Sequence, residues 1–347
     1  IQAQENENKS RPGPEFVMNV ATRNQPWWTA AFKPQFGLIW VLLLMTAFFA
    51  LGSSVFRTPG NLMEVLRQSG IIAIMVLGLT WIVAAGEIDV SFPDVAAFSG
   101  VMTAVLVGSG LSWTLTIILT LLTGTAFGII SGFLVVRFKF SSLIATIATA
   151  GIAKATASIL GKGQVIHITK AGPELYQLVY GKVFGVPVLF LITIAIYLIC
   201  RFFQDKTTMG QHLYALGENR QATAEAGIEE GKILSWLYVL SALLATIAGI
   251  LLTATLSSGN PRIGGSYFLD GLTVVFLGTM VIKAGQPNLI GTLIGVIILS
   301  VLSNGLTHLG LPYYIGTIIK GLLLIFGVVV VTVAKMQRRG PHTLEVG

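Results

Sequence analysis

Glu87, Asp89 and Asp94 lie close together in the chain, beside long apolar runs. Carboxylates at membrane depth are costly and mark functional positions by default. Two readings of the Gly86 to Asp94 stretch follow from that. Asp89 or Ser91 caps the helix that Pro93 opens, the group sitting at a turn, or the carboxylates line a polar pathway. The second arrangement would also suit proton exchange in an ion-coupled carrier that uses Asp89 or Glu87, with broken helices at Gly86 to Pro93 and Asn260 to Gly265. Lys154 and Lys320 are the cations that fall within apolar stretches. Lys154, a turn or two from Gly161, has the reach to snorkel outward, whereas Lys320 lies deeper and calls for a paired or pathway-facing position. Ser141, Ser142, Thr146, Thr149, Thr156 and Ser158 make one apolar stretch unusually polar. They suit either hydrogen bonds between helices or a route for a hydroxyl-rich solute.

No constellation for catalysis accompanies these residues. A phosphate-binding loop needs two glycines in fixed register with Lys and Ser or Thr; Lys162 sits between Gly161 and Gly163 but is followed by Gln164. His167, His212, His308 and His342 form no ligand motif, and Cys200, the sole cysteine, excludes an internal disulfide and a cysteine zinc site. The expectation is therefore no catalytic residue, no metal and no resident cofactor. Energy for active transport must come from an ion gradient or from a separate subunit.

The elements that position these residues are membrane helices. Hydrophobic residues make up 54% of the 347 and charged residues 11%, with a mean hydropathy of +0.80, whereas soluble domains carry about a quarter charged residues. Apolar stretches of about 20 residues, each long enough to cross a core of about 30 Å, predict spans at 36–53, 63–85, 92–108, 113–136, 140–160, 186–204, 233–256, 267–283, 286–307 and 312–335. Backbone satisfaction in lipid makes these helices, and the alternating pattern of an outer-membrane barrel is absent. With the N-terminus inside, Arg57, Arg67, Lys162, Lys170, Lys182 and Arg262 fall outside, and the remaining Lys and Arg beyond the spans fall on the cytoplasmic side. That is the positive-inside bias, with both termini cytoplasmic. The net charge of +7 is accordingly read as membrane orientation rather than nucleic-acid binding.

The predicted organisation is a cytoplasmic tail at 1–35, a membrane domain at 36–335 and a second cytoplasmic tail at 336–347. No charged region with a short apolar run and small-residue cleavage site opens the chain, so insertion is expected through the first span. Residues before Met18 are read as a candidate vector-derived remnant. Glycines recur four apart at Gly124, Gly128 and Gly132 and at Gly291 and Gly295, a spacing that lets helices cross closely.

Between Tyr214 and Ile228 stands a polar, alanine-rich island. Gly217-Glu218-Asn219 reads as a break with a cap, Arg220 to Ala226 as a short helix and Gly227 as its stop. The small side chains Ala222, Ala224 and Ala226 allow close approach by a partner, for which such a surface helix is suited.

This island resembles the coupling loop of ribose-type ABC importer permeases, whose pattern approximates Tyr-Ala-x-Gly-Gly-Asn-x-x-Ala-Ala-x-x-Ser-Gly-Ile; Tyr214, Ala215, Gly217, Asn219, Ala222, Gly227 and Ile228 match, while Glu218, Thr223 and Ala226 depart. Gly86-Glu87-Ile88-Asp89-Val90-Ser91 is similar to the family's Gly-Gly-Ile-Asp-Leu-Ser, with Glu87 and Val90 differing and Phe92-Pro93-Asp94 replacing Val-Gly-Ser. Ile144-Ala145-Thr146, Gly151 to Lys154, Leu269-Asp270, Val274 to Gly278, Gly291-Thr292 and Ser303-Asn304-Gly305-Leu306 continue the match, which covers roughly residues 36 to 335. Thr279-Met280 and Lys283-Ala284 stand where the family carries glycines.

The resemblance implies an all-α membrane protein, a polytopic bundle of about ten transmembrane helices with a cytoplasmic coupling helix, in the bacterial inner membrane. It implies a permease moving a monosaccharide or similar small polar solute by alternating access. The implied partners are a second permease copy or paralogue, cytoplasmic ATPase subunits that use ATP and Mg, an extracytoplasmic solute-binding protein and the lipid bilayer. Gly217, Glu218, Asn219, Arg220, Ala222, Glu225 and Gly227 would form the ATPase-coupling loop, with Arg220 and Glu225 touching the ATPase. Asp89, Ser91, Asp270, Asn304, Lys154 and Lys320 would be pathway or structural positions. The longest outside loop, Gly161 to Val186, carries Lys162, Lys170 and Lys182 with Tyr176 and Tyr180, and Arg262 adds to that face. It either docks the binding protein or packs over helix ends.

Overall fold

The computed structural model describes residues 37–168, 172–281 and 285–339. The N-terminal tail, Lys170, the Lys283-Ala284 pair and the residues from 340 onward lie outside the described residues. Within them run thirteen helices and four two-residue strands. Helices α1 (Gly37–Gly52), α2 (Pro59–Ala84), α3 (Phe92–Gly108), α4 (Trp113–Phe138) and α5 (Ser142–Leu160) come first. An outer segment follows, with β1 (Ile166–His167), α6 (Pro173–Tyr180), β2 (Lys182–Val183) and β3 (Val186–Pro187). Then come α7 (Val188–Lys206), α8 (Thr208–Glu218), α9 (Arg220–Glu225), α10 (Glu230–Leu256), β4 (Ser258–Gly259), α11 (Gly264–Gly278), α12 (Leu289–His308) and α13 (Tyr313–Arg339).

Each of the ten expected spans coincides with a helix. Seven of them, α2, α4, α5, α7, α10, α12 and α13, are long and apolar enough to cross a membrane. α1 and α3 are shorter apolar helices, and α11 has 15 residues, ending five residues before the expected boundary because the chain turns at Thr279, whose hydroxyl bonds the Phe276 carbonyl at 2.6 Å. α6 and α8 were not anticipated, since neither carries a long apolar run.

Side chains at the helix starts take up orphaned backbone donors. Thr58 accepts from the Asn61 N–H at 3.3 Å ahead of Pro59, Ser112 from Leu115 at 3.4 Å, and Asn288 from Gly291 at 2.8 Å. α4 and α10 stop on left-handed residues, Lys139 at φ 58° and Ser257 at φ 49°.

The core gathers around α10, which packs against α2, α3 and α4. A helix surrounded in this way must be apolar all round, and α10 and α2 bury residues on every face. α7 and α13 instead leave large apolar side chains open, Leu198, Ile199 and Phe202 on one and Ile318, Leu322 and Ile325 on the other, as lipid-facing helices do. The glycine spacing sets the closest crossings inside the chain. A Cβ on Gly128 would lie 2.4 Å from the Tyr238 carbonyl oxygen of α10, and one on Gly291 would lie 1.9 Å from the Gly278 carbonyl oxygen of α11.

On the far side from α9, β1 pairs antiparallel with β4, Ile166 opposite Gly259, and β2 with β3 form a hairpin. Its tip is Phe184, fully exposed at φ 50°, followed by Gly185 at φ 82°.

Candidate functional site

The polar island folds as two short helices rather than a break and one helix. Gly217 and Glu218 close α8, and Asn219 both ends α8 and caps α9: its N–H donates to the Ala215 carbonyl at 2.9 Å and its Oδ1 accepts from the Ala222 N–H at 3.0 Å. Gly217 is required for proximity. A Cβ there would lie 2.0 Å from the Ala84 carbonyl oxygen at the end of α2. Gly86 faces it in the left-handed region at φ 82°. Gly227, at φ 77°, turns the chain out of α9 as the sequence predicts.

α9 is open on every side but that of Thr223. Gln221, Ala222, Ala224, Glu225 and Ala226 are exposed, while Thr223 is buried and bonds the Asn219 carbonyl at 2.7 Å. Glu225 remains on that surface, accepting from Gln221 at 3.0 Å. Arg220 turns back to the membrane body instead. Its Nη2 donates to Glu87, and its Nε lies 2.8 Å from Glu230 Oε1 at the start of α10. Partial burial lowers the guanidinium pKa, but the hydrogen bond and charge of Glu87, with the charge of Glu230, outweigh it and leave the pKa raised. Arg220 therefore stays ionised.

Two further bonds fasten the island to the loop before α12: Tyr214 OH donates to the Pro287 carbonyl at 2.8 Å, and Gln286 donates to Glu218. Glu87 and Glu218, both standing where the family pattern has glycine, thus each hold this region to the body. Beside it opens a cavity of about 640 Å³ lined by Arg201, Gln204, Asp205, Tyr214, Glu218 and Gln286.

The Gly86 to Asp94 stretch corrects one expectation. Ser91 stands at the N-cap of α3, but its side chain makes no capping bond. Asp89, buried, takes both Ser91 groups, the N–H at 2.8 Å and the hydroxyl at 2.6 Å, on Oδ1, and Ser241 of α10 donates to Oδ2 at 2.8 Å. Asp94 and Lys154 are not in ion-pair contact; Lys154 is exposed on α5.

The hydroxyl side chains of α5 divide by depth. Ser142 and Thr146 accept the backbone N–H groups of Ile88 and Val90 at 3.3 and 3.2 Å, and Thr149 accepts from Ser131 of α4 at 3.0 Å. Thr156 and Ser158 bond carbonyls of their own helix.

Lys320 is paired. Its Nζ lies 2.8 Å from Asp270 Oδ1, tying α13 to α11 with both side chains largely buried. Asn304 exchanges side-chain hydrogen bonds with Asn61 at 2.8 and 2.9 Å, and His308 Nε2 lies 2.8 Å from Asn61 Oδ1; the sequence singled out Asn304 but not its partner Asn61. At the end of the bundle that carries β1 and β4, Lys162 and Lys182 are exposed, Arg262 reaches the Gly163 carbonyl at 3.5 Å, and Tyr180 bonds the Thr255 carbonyl at 2.6 Å with Arg67 over its ring at 4.5 Å. Lys162 and Lys182 are thus left open beside these contacts.

A bundle of membrane-length helices with a clamped, exposed surface helix is the architecture of a multi-pass membrane protein. The chain belongs to the family described as branched-chain amino acid transport system / permease component, which matches residues 61–328, and within it to the ribose-type ABC importer permeases. It is 32% identical over 291 residues to the ribose import permease protein RbsC of Escherichia coli (strain K12), covering 83% of this chain and 91% of that protein. The ribose import permease protein RbsC of Bacillus subtilis (strain 168) is 31% identical over 289 residues, 83% of this chain and 89% of its own. The L-arabinose ABC transporter permease protein AraH of Azospirillum brasilense is 27% identical over 331 residues, 95% of this chain and 96% of its own.

Proposed function

We propose that this chain forms the translocation pathway of an ATP-driven importer for a monosaccharide, with α9 as the helix that receives the motion of a cytoplasmic ATPase. The observation that carries the reading is the short exposed helix α9, with Ala222 and Ala224 open on it and Ala226 just after it, fixed to the membrane body through Arg220 and, from the end of α8, through Glu218. Small side chains let a groove close over the helix, and the fixed points turn a push on it into a rigid-body shift of helices. Ribose and arabinose in the relatives' names support the solute class. ATP and Mg belong to the partner in this reading.

A second permease copy fits the outward face of α5, where Ala148, Gly151 and Ala155 are exposed with Lys154. Small residues allow close helix approach, and a cation facing lipid alone is costly. The binding protein meets the side bearing Lys162, Lys182 and Arg262, and both termini lie in the cytoplasm of a bacterial inner-membrane protein. Coupling to protons through Glu87 or Asp89 has little support, since Arg220 occupies the first and Ser91 with Ser241 the second.

The test is uptake of labelled ribose and L-arabinose into proteoliposomes holding this chain, its ATPase subunits and its binding protein. Uptake requiring internal ATP and lost in Ala222→Glu, with the protein still inserted, is the expected result. Accumulation by this chain alone along a proton gradient would overturn the reading.

A further inference from the structure

Residues 86–91 contact three helices, α9, α5 and α10, of which α9 also reaches α10 directly through Arg220 and Glu230. The stretch from Glu87 to Ser91 is neither helix nor strand, so its backbone groups must find partners elsewhere. They find them on moving-part candidates. Ile88 and Val90 donate their N–H groups to Ser142 and Thr146 in the first turns of α5 at 3.3 and 3.2 Å. Asp89 accepts from Ser241 of α10 at 2.8 Å. Glu87, only 10% exposed at its side chain, receives Arg220 of α9, which also holds Glu230.

Alternating around this segment are therefore three attachments of different strength. The ion pair to α9 is charge-assisted, with Glu87 nearly buried and Arg220 half exposed. Asp89 takes bonds from Ser91 and Ser241 at 2.6 and 2.8 Å, whereas the two bonds to α5 are longer. A displacement of α9 enters the segment through the Arg220–Glu87 pair; α10, which the segment also holds, is enclosed by α2, α3 and α4, whereas α5 has an open face and is the helix free to follow.

We infer that residues 86–91 are a transmission strap and that Arg220 is a positioning residue, not an ATPase contact: it converts movement of α9 into movement of α5 by holding Glu87. This rests on the reading of α9 as the coupling helix and assigns the path that its motion takes. Coupling is then a property of the Arg220–Glu87 pair, and ATPase docking is a property of the exposed small residues Ala222 and Ala224 of α9 with Ala226 after it.

The experiment uses the full importer in liposomes with Arg220→Gln, Glu87→Gln, the double variant, Arg220→Lys, and Ala222→Glu. Three quantities are read: affinity for the ATPase subunits, basal ATP hydrolysis and solute moved per ATP hydrolysed. The strap predicts unchanged ATPase affinity and basal hydrolysis for the 87 and 220 variants, a roughly tenfold loss in solute per ATP for each single variant, and no further loss in the double variant. Arg220→Lys, which keeps the charge but not the two-sided geometry, recovers part of the ratio. Ala222→Glu shows the opposite pattern, with ATPase affinity lost. If Arg220→Gln weakens ATPase affinity tenfold while Glu87→Gln does not, Arg220 is a docking contact and the inference is overturned. Solute per ATP unchanged in both single variants overturns it equally. A wild-type importer with no ATP-dependent uptake would instead overturn the function on which the inference rests.

Discussion

Gly291→Ala measures how closely α11 and α12 cross, and through them how firmly the loop holding the coupling helix is placed. The new methyl would sit 1.9 Å from the Gly278 carbonyl oxygen and 2.7 Å from its carbon. Ordinary contact needs about 3.5 Å, so the helices must part by about 1.5 Å. Both facing atoms are backbone and cannot swing aside, which puts the over-packing cost near the upper end of its usual range, about 3 kcal/mol. Alanine returns about 0.8 kcal/mol through its higher helix propensity. The expected net loss is about 2 kcal/mol. Gly151→Ala on α5 is the matched control, because nothing lies within 4 Å of its added methyl; it gains the propensity term alone, about 0.8 kcal/mol. Reversible unfolding of the isolated chain in mixed micelles, followed by tryptophan fluorescence, separates the two variants. Equal stability for Gly291→Ala and Gly151→Ala would refute the reasoning, since identical chemistry is predicted to act with opposite signs at the two sites.

Three other perturbations follow from the same contacts. Lys320→Met leaves Asp270 buried without its cation and is expected to cost about 3–5 kcal/mol, whereas adding Asp270→Leu restores most of the loss; the same titration reads both. Asp89→Ala strips the acceptor from Ser241 and from the Ser91 N–H and hydroxyl, with an expected loss of about 3 kcal/mol from unpaired buried groups, visible as a lowered midpoint of thermal unfolding. Phe184→Gly removes a bulky residue from the left-handed region and should stabilise the hairpin by about 1 kcal/mol; a drop in midpoint would show that Phe184 is held by contacts of its own.

The spanning helices were legible because hydrocarbon thickness imposes a length on apolar runs, and no tertiary knowledge is needed to count it. Asn219 and Gly227 were legible for a similar reason, since caps and left-handed turns are local. α8 was not: its apolar residues Leu213 and Leu216 are buried within a segment too short and polar to resemble a span. The destination of Arg220 was equally hidden. Glu87 lies 133 positions away, and an exposed cation in a coupling segment suggests a partner protein as readily as its own chain. Ser91 misled because a serine ahead of Pro93 fits a cap by type, but Asp89 two residues earlier offers its hydroxyl a carboxyl oxygen at 2.6 Å. The Asn61 to Asn304 pairing joins the start of α2 to α12 and has no local signature at all.

The place of α10 at the centre of the core has a consequence for biogenesis. It packs against α2, α3 and α4, yet its first residue, Glu230, follows the last residue of α4, Phe138, by 92 positions in the chain. At an elongation rate of about 5–20 residues per second, the ribosome needs roughly 5–18 s to supply it. Through that interval the glycine track of α4 and the Asp89 carboxylate lack the surface that completes them. The early helices must wait in the insertion machinery or in lipid as an open half-bundle, with the Gly124 and Gly128 groove available to any other small-residue helix nearby. Rapid degradation of chains stalled before residue 230, and protection once α10 has emerged, would be the signature of that wait.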